Sequence, residues 1–462
     1  LTSGMARLSQ RVRSAQQLAI TLGELAPDLD ADVVDRIRAA FAARAGELGG
    51  EAAIGLVPNL AASRIANRLD LRGPAYTVDA ACASSLVAVD HAVSELARGR
   101  CDVVLAGGVH LCHDVTFWSV FTQLGALSRA QQIRPFDRRA DGLLIGEGAG
   151  VVVLKRRADA VRDGDRIYAV VRGTAITSDG REASAMRPRQ DGQVAALTAA
   201  WRDAGCDPQT VGLIEAHGTA TPTGDAVELA ALGQMFGGAG AGPRAGLGSV
   251  KSMIGHAMPA AGVAGLIKAA LALHHDTLPP SLHCDEPRAE LAATRFRVLA
   301  AAEPWGELPR RAGVSAFGFG GINAHVVLEA VDGATPVRRR RRTEEPALRV
   351  RTIAAGSIAE LAAALDRDHD DGPGGPVRLA LVDPTPERRA LAHKVLARGQ
   401  PWRGRNDLWF TPRGLGTDGG RLAFVFPGLE VATPPDVAAV AECLGVTAPP
   451  LPAADAARAL EQ

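Results

Sequence analysis

The stretch Val78-Asp79-Ala80-Ala81-Cys82-Ala83-Ser84-Ser85-Leu86 decides how the rest of the chain is read. Upstream, Ala75–Asp79 has the character of a short strand. Downstream, Leu86, Val89, Val93 and Leu96 recur at intervals of three and four, the inward stripe of an amphipathic helix. Cys82 therefore belongs to a strand-to-helix turn. Free backbone N–H groups and the helix macrodipole favour a thiolate there, and the small neighbours Ala80, Ala81, Ala83 and Ser84 leave room for a substrate. Taken alone, a cysteine beside a buried strand is more often a packing residue.

Two histidine motifs change that balance. Glu215-Ala216-His217-Gly218-Thr219-Ala220-Thr221-Pro222-Thr223-Gly224-Asp225 follows the apolar run Val211–Ile214, at the strand end where α/β sheets build their sites. Lys251-Ser252-Met253-Ile254-Gly255-His256 precedes an Ala/Gly-rich helix. Each histidine alone reads as a hydrogen-bonded structural residue. One cysteine and two histidines, each in a small-residue turn beside a buried element, fit a nucleophile with two imidazole partners better.

Outward from these motifs, residues 1–50 read as helix, ending at Gly49-Gly50. From about residue 54 to 330, short apolar runs alternate with amphipathic helices: Tyr76–Val78, Val103–Ala106, Val151–Leu154, Ile167–Val171, Leu213–Ala216 and Val326–Leu328. That alternation predicts an α/β fold with a largely buried sheet. Past Glu329, Pro336 and the run Arg338–Arg342 mark a boundary. A small α/β unit follows, with helices over Ile358–Leu365 and Pro386–Arg398, a loop over Asp366–Pro376 and a strand over Val377–Val382. Arg421–Gly428 begins what reads as a further domain.

The 462 residues carry 51 basic and 51 acidic side chains, so nothing draws the chain to nucleic acid or an anionic membrane. No apolar run reaches membrane-spanning length; Ala257–Leu273 is interrupted by Lys268 and reads as a buried core helix. Six cysteines without paired spacing, and no secretion signal, read as a soluble cytoplasmic protein.

The sequences around Cys82, His217 and His256, with Gly313–His325 (GVSAFGFGGINAH), resemble those of β-ketoacyl synthases, in particular the ketosynthase domains of type I polyketide synthases. The four motifs stand in the family's order over roughly residues 55–330. The resemblance implies a thiolase-like, layered αβαβα fold with two related halves, normally a homodimer. It implies that Cys82 takes an acyl group from an acyl carrier protein as a thioester. His217 and His256 would then stabilise the enolate formed when a malonyl-type extender is decarboxylated. No cofactor is bound directly; the phosphopantetheine arm comes with the carrier. The resemblance further implies backbone oxyanion donors at Cys82 and Phe319, and a buried ion pair of Lys251 and Glu228, joined by Asp225. Phe319 would be a gate within the loop Phe317, Gly318 and Gly320. Thr219, Thr221 and Asn323 would lie at the substrate, with Asn323 bracing the loop.

The same resemblance implies three segments: a ketosynthase domain over 1–334, a ketosynthase-to-acyltransferase linker over 335–420, and the start of an acyltransferase-like domain over 421–462. Family members open with a glycine-containing strand and further helices that residues 1–50 do not supply, so the N-terminal part of the fold is expected to be missing or carried by a separate piece. Val57–Leu71 and Arg405–Phe410 resemble the iterative enediyne and polyunsaturated fatty acid synthase subgroup. Covalently linked acyltransferase and other synthase domains are the implied partners. Two other readings stay open: a non-catalytic chain-length-factor-like partner, which would usually lack the cysteine, and a thiolase-like enzyme using coenzyme A, which needs a second catalytic cysteine that neither Cys206 nor Cys284 resembles. His110, Cys112, His113 and Asp114 crowd one loop too tightly to surround a metal ion, and Arg338–Arg342 reads as a solvated linker.

Overall fold

The computed structural model describes residues 2–44, 57–111, 115–181, 187–331, 350–367 and 374–414. The chain divides into two units, Leu1–Arg338 and Arg339–Gln462.

In the first unit, the helical expectation for residues 1–50 resolves into α1 (Thr2–Leu25) and α2 (Ala31–Arg44). The break contains Pro27, and Asp30 starts the second helix by accepting the N–H of Asp32 at 2.8 Å. A third helix, α3, spans Asn59–Arg68. The helix α4 (Ser84–Ala97) buries the expected stripe: Leu86 and Val89 have no exposure and Leu96 has 6%. Each fully buried Leu or Val side chain contributes about 1.5–3 kcal/mol.

The strand expected over Ala75–Asp79 is absent. No described strand pairs with these residues, although Val78 still packs on the core. Apolar character favours a strand, but a ladder also needs a neighbouring edge to satisfy its N–H and C=O groups.

The remaining elements build two main sheets, with helices between and outside them, and one small two-stranded sheet. Strand β1 (Val103–His110) pairs antiparallel with β2 (Gly148–Lys155), with helix α5 (Val115–Gln123) between them in sequence. After α6 (Arg157–Asp163), the larger sheet begins with β3 (Val170–Ser178), three residues later than the apolar run suggested. It continues through α7 (Gln190–Ala204), β4 (Leu213–Glu215), α8 (Pro222–Phe236), β5 (Ala245–Gly248), α9 (Lys251–Ile254) and α10 (Ala261–His274). The chain then forms β6 (Thr277–Leu278), the turn α11 (Ala289–Ala292), strand β7 (Phe296–Val298) of the larger sheet, and β8 (Glu303–Pro304), which pairs antiparallel with β6 as a separate small sheet. The larger sheet closes with β9 (Arg311–Gly318) and β10 (Ile322–Glu329). The six strands lie in the order β3-β10-β9-β4-β5-β7; β9, β4, β5 and β7 run parallel, and β10 runs antiparallel to both its neighbours. The sheet is therefore mixed. Helices α4 and α10 pack between it and the β1–β2 pair, and α7 covers its other face. Alanines and glycines along α10 let it lie between two sheets, which is why a lone lysine there did not place it at the surface.

The core splits accordingly. One cluster, around Leu86, Leu266 and Val314, fills the space between the sheets, and the other lies under α7 and α8. In the second, Trp201, Phe236 and Phe296 stack edge to face at 5.5 Å. Trp201 Nε1 donates to His325 Nε2 at 3.2 Å, and His325 Nδ1 meets Ser315 Oγ at 3.0 Å. His325 is thus a satisfied core residue; burial holds its pKa down at about 3.

The second unit is a four-stranded antiparallel sheet, in the order β11 (Val350–Ala355), β12 (Val377–Val382), β14 (Leu408–Thr411), β13 (Trp402–Arg403), with α12 (Ile358–Asp366) and α13 (Pro386–Arg398). Both helices carry readable signals. Ser357 Oγ accepts the Glu360 N–H at 3.2 Å, and Glu360 Oε2 accepts the N–H of Gly356 at 3.0 Å, a capping pair at the start of α12. Thr385 and Pro386 open α13, and Gly399 closes it with φ of 65°. Strand β11 escaped the sequence reading because Arg351 sits at an inward position; its guanidinium donates to the carbonyls of Leu365 at 3.0 Å and Ala364 at 3.1 Å, the C-terminal end of α12. The segment 421–462, the run Arg338–Arg342 and Cys112, His113 and Asp114 lie outside the described residues. Among the described residues no helix is long and apolar enough to cross a membrane.

Candidate active site

Three parallel neighbours, β9, β4 and β5, end side by side, and each delivers one part of the site: Phe317-Gly318, His217, and the turn through Lys251 to His256. The start of α4 delivers the fourth, Cys82. Sequence order scatters these residues; strand order gathers them.

Cys82 occupies a 3₁₀ turn, Ala81–Ala83, directly before α4. Ala81 has φ of 49°, a left-handed conformation that costs an alanine about 1–2 kcal/mol. Local bonds hold it: Ala81 N–H donates to Asp79 Oδ1 at 3.0 Å, Ala80 N–H to Ser84 Oγ at 2.9 Å, and Ser84 Oγ–H to Ala81 O at 2.6 Å. Gly318 crosses against this turn so closely that a Cβ there would meet Ala80 O at 2.4 Å. That approach brings the Phe319 N–H against the Cys82 sulfur, beside the N–H of Cys82 itself.

Both imidazoles have one nitrogen fixed by the backbone. Met258 N–H donates to His256 Nδ1 and Phe317 N–H donates to His217 Nδ1, each at 3.2 Å. A neutral ring that accepts at Nδ1 carries its proton at Nε2. Burial, with Lys251 adding, holds both histidines well below their ordinary 6.5, so both are neutral. His256 Nε2 lies 3.2 Å from Cys82 Sγ, and the two rings stand 5.5 Å apart, nearly perpendicular. The site thus presents two Nε2–H donors beside a sulfur.

Carboxylates brace the histidine loops. Glu228 accepts the N–H groups of His217 at 2.7 Å and Gly218 at 2.8 Å. Asp225 accepts those of Phe136 at 2.7 Å and Ala220 at 3.1 Å. Burial pushes Asp225 up to about 7, against the pull of the Phe136 N–H. Phe136, Ala220 and Met258 share the positive φ of Ala81, at 65°, 59° and 44°. Strain of this kind, about 1–3 kcal/mol a residue, persists only where surrounding bonds over-determine it.

The ion pair implied between Lys251 and Glu228 is not a direct bridge. Lys251 Nζ donates to the carbonyl of His217 and feels Glu215 and Glu228 electrostatically, while burial lowers its pKa. The direct bridge is Lys268 Nζ to Glu215 Oε2 at 2.8 Å, with Glu215 Oε1 accepting the Val250 N–H at 2.5 Å. Glu215 and Lys268 were not assigned from sequence. Their signal was a lone lysine on an apolar helix, which needs a buried partner.

A cavity of about 360 Å³ opens over Cys82, His217 and His256, with Thr219, Thr221 and Phe319 on its wall. The threonine hydroxyls lie 3.2 Å apart, and Phe317 is buried beside His217 with ring centroids 5.5 Å apart. Phe319 is 42% exposed and stacks on Phe121 at 6.0 Å. Gly320 turns with φ of 94°. Asn323 is buried and donates from Nδ2 to Asp179 Oδ1 at 2.7 Å, which ties down the glycine turn. Cys206 and Cys284 line no part of this cavity. A larger apolar groove of about 600 Å³ along α10 holds no cysteine.

One expectation is reversed. The helix start was to favour the thiolate, yet burial outweighs Lys251 and both N–H groups and pushes the Cys82 thiol up to about 11. The thiol is protonated at rest. Because the thiolate is the reacting form and the pKa lies above an ordinary 9.0, carbamidomethylation of Cys82 by iodoacetamide should keep rising about tenfold per pH unit through pH 9. Peptide mass spectrometry of timed samples measures this; a plateau below pH 9 would contradict it.

Family models match along most of the described chain: "Beta-ketoacyl synthase, N-terminal domain" over residues 35–160, "Beta-ketoacyl synthase, C-terminal domain" over 168–285 and "Ketoacyl-synthetase C-terminal extension" over 286–381. One phenolphthiocerol/phthiocerol polyketide synthase polypeptide of Mycobacterium bovis is 43% identical over 331 residues, covering 70% of this chain and 18% of that protein. One polyunsaturated fatty acid synthase polypeptide of Thraustochytrium is 36% identical over 422 residues, 81% of this chain and 15% of that protein. The chain therefore spans less than a fifth of either relative's length. Among solved structures, the ketosynthase from module 6 of the bacillaene synthase of Bacillus subtilis 168 superposes with a TM-score of 0.57 at 30% identity, covering 77% of this chain and 65% of that one. With its cysteine and paired histidines brought to one cavity on a thiolase-like scaffold, the chain belongs to the β-ketoacyl synthase family, as a ketosynthase of the polyketide synthase type.

Proposed function

We propose that this chain joins a Cys82-bound acyl group to a malonyl-type extender by decarboxylative Claisen condensation, both delivered on the phosphopantetheine arm of an acyl carrier protein. The 3.2 Å approach of His256 Nε2 to Cys82 Sγ, with a second neutral imidazole 5.5 Å away, carries this reading.

The Cys82 sulfur attacks the carrier thioester, the carrier C–S bond breaks, and the thiol proton leaves with the carrier thiol. Oxyanion character on the way is held by the N–H groups of Cys82 and Phe319. The extender thioester then takes the place of the carrier thiol, with its carbonyl oxygen at the Nε2–H of His217 and His256. Loss of carbon dioxide leaves its electron pair on the enolate, which these two donors stabilise without a change in their own protonation. The α-carbon attacks the Cys82 thioester carbonyl; the C–S bond breaks, Cys82 leaves as a thiolate, and the sulfur takes a proton from water. Neutral imidazoles suit this work because a charged pair would hold the extender carboxylate in place. Phe319, exposed at the cavity edge, acts as the gate between acyl and extender positions. Thr219 and Thr221 hold the arm, and Asn323 acts on substrate through the glycine turn.

The second unit serves as the ketosynthase-to-acyltransferase linker, and the enzyme works in the cytoplasm as a homodimer with covalently linked synthase domains. Extended likeness to the polyunsaturated fatty acid synthase polypeptide, over 422 residues, supports the iterative subgroup. Incubation with an acyl carrier thioester should add one acyl mass to the intact protein, located at Cys82 by peptide mapping. Addition of malonyl carrier thioester should then release carbon dioxide and a carrier-bound β-keto product. A protein that takes up no acyl group would instead be a non-catalytic partner of the same fold.

A further inference from the structure

The cavity has a polar mouth that the condensation chemistry leaves unused. Among the described residues, Arg187 is the single arginine or lysine on its wall, and it is exposed. The carboxylates that share the wall are already engaged: Asp179 with Asn323, and Glu228 with two backbone N–H groups. The neighbouring Arg189 is likewise tied to Asp191 at 3.1 Å, whereas no bond or ion pair to a described residue occupies the Arg187 guanidinium. A second side chain on the wall points the same way. Gln193 is 2% exposed, yet its Oε1 is buried with no hydrogen-bond partner among the described residues. A buried amide left unpaired costs about 1–3 kcal/mol, so it marks a position where a ligand supplies the missing partner.

Resting on the condensing reading, we infer that Arg187 and Gln193 recognise the carrier's arm at two points: Arg187 its phosphodiester and Gln193 an amide. The deep end of the cavity holds the buried Cys82 and His256, where the thioester must react. An arm with its thioester there places its far, anionic end at the exposed lip. The other anion in the reaction, the extender carboxylate, must be lost at the deep end, where a fixed cation would retard its departure. Guanidinium and phosphate match in charge and in fork geometry. An amide of the arm matches the carboxamide of Gln193 as donor and acceptor together.

The test compares two small thioesters with the intact protein: the same acyl group on phosphopantetheine and on pantetheine, which lacks the phosphate. Cys82 acylation is followed by intact mass against concentration. Arg187→Gln should raise the half-saturating concentration of the phosphorylated thioester about five- to tenfold, leave its maximal rate unchanged, and leave the pantetheine thioester unaffected. The difference should shrink as salt is raised. Gln193→Met, close in volume, should weaken both thioesters alike, since both arms contain amides. Equal behaviour of Arg187→Gln and wild type with the two acyl thioesters would overturn the inference. An Arg187→Gln effect confined to malonyl thioesters would also overturn it and assign the guanidinium to the carboxylate. Failure of the wild-type protein to accept an acyl group from either thioester would overturn the condensing reading itself, which separates the two failures.

Discussion

Cys82→Ala is expected to abolish acyl uptake and to lower condensation by at least about 10³-fold, because no covalent intermediate can form. The substitution removes one sulfur from a turn whose shape is set elsewhere, by the left-handed Ala81 and the bonds through Asp79 and Ser84. The fold should therefore persist, with thermal unfolding close to that of the wild type. Both imidazole donors also survive. The variant should still release carbon dioxide from a malonyl carrier thioester, now without forming a carbon–carbon bond. Intact-mass measurement of the acylated protein and carbon dioxide release, assayed together, test both halves. An acyl adduct on the variant would mean that another residue carries the chain; Cys206 and Cys284 are poor candidates, since neither lines the cavity and burial pushes the Cys284 thiol up to about 12.

Replacing either histidine by alanine should cut condensation by about 10²- to 10³-fold, the usual loss when one oxyanion donor is removed from a water-poor site. The two variants should nevertheless differ. His256 Nε2 touches the Cys82 sulfur at 3.2 Å, whereas His217 is held away at Phe317. His256→Ala should slow acyl loading as well as decarboxylation, and His217→Ala should spare loading. The wild-type pH profile should carry no histidine limb near 6.5. Burial lowers both pKa values, so both rings stay neutral as pH falls through the ordinary range, and activity lost to their protonation appears only well below it. Single-turnover loading and extender decarboxylation, each followed from pH 5.5 to 8, decide this. A loss centred near 6.5 that disappears in the histidine variants would contradict neutral donors.

Much of the site was readable residue by residue. Small residues around Cys82, glycine beside each histidine and polar residues after an apolar run are local features that survive in one dimension. Their chemistry was less readable. Cys82 looked like an activated thiolate because a helix start is visible in sequence, but the desolvation that outweighs it depends on Phe121, Leu143 and Met258, brought from three other segments. Lys251 is buried, and its hydrogen-bond partner is a backbone carbonyl. Beside the site, the carboxylate that meets a lysine directly is Glu215, through Lys268, 53 positions along the chain. No spacing rule identifies such a pair.

The fold shows the same division. Helix α4 follows from periodic apolar residues, and α12 and α13 also from caps that act within one turn, so the limits of these two could be read directly. Strand identity depends on a partner edge. Residues 75–79 had the right composition and found no described partner, while β11 contained an inward arginine and still formed, because α12 offers its carbonyls to that guanidinium. By itself, the sequence determined which residues have reactive chemistry and small neighbours: Cys82, His217 and His256 in their turns. Only the tertiary structure decided that these turns meet, since parallel packing of β9, β4 and β5 aligns their ends. It also decided how the site is charged, because burial, which no local pattern encodes, keeps the thiol protonated and both imidazoles neutral.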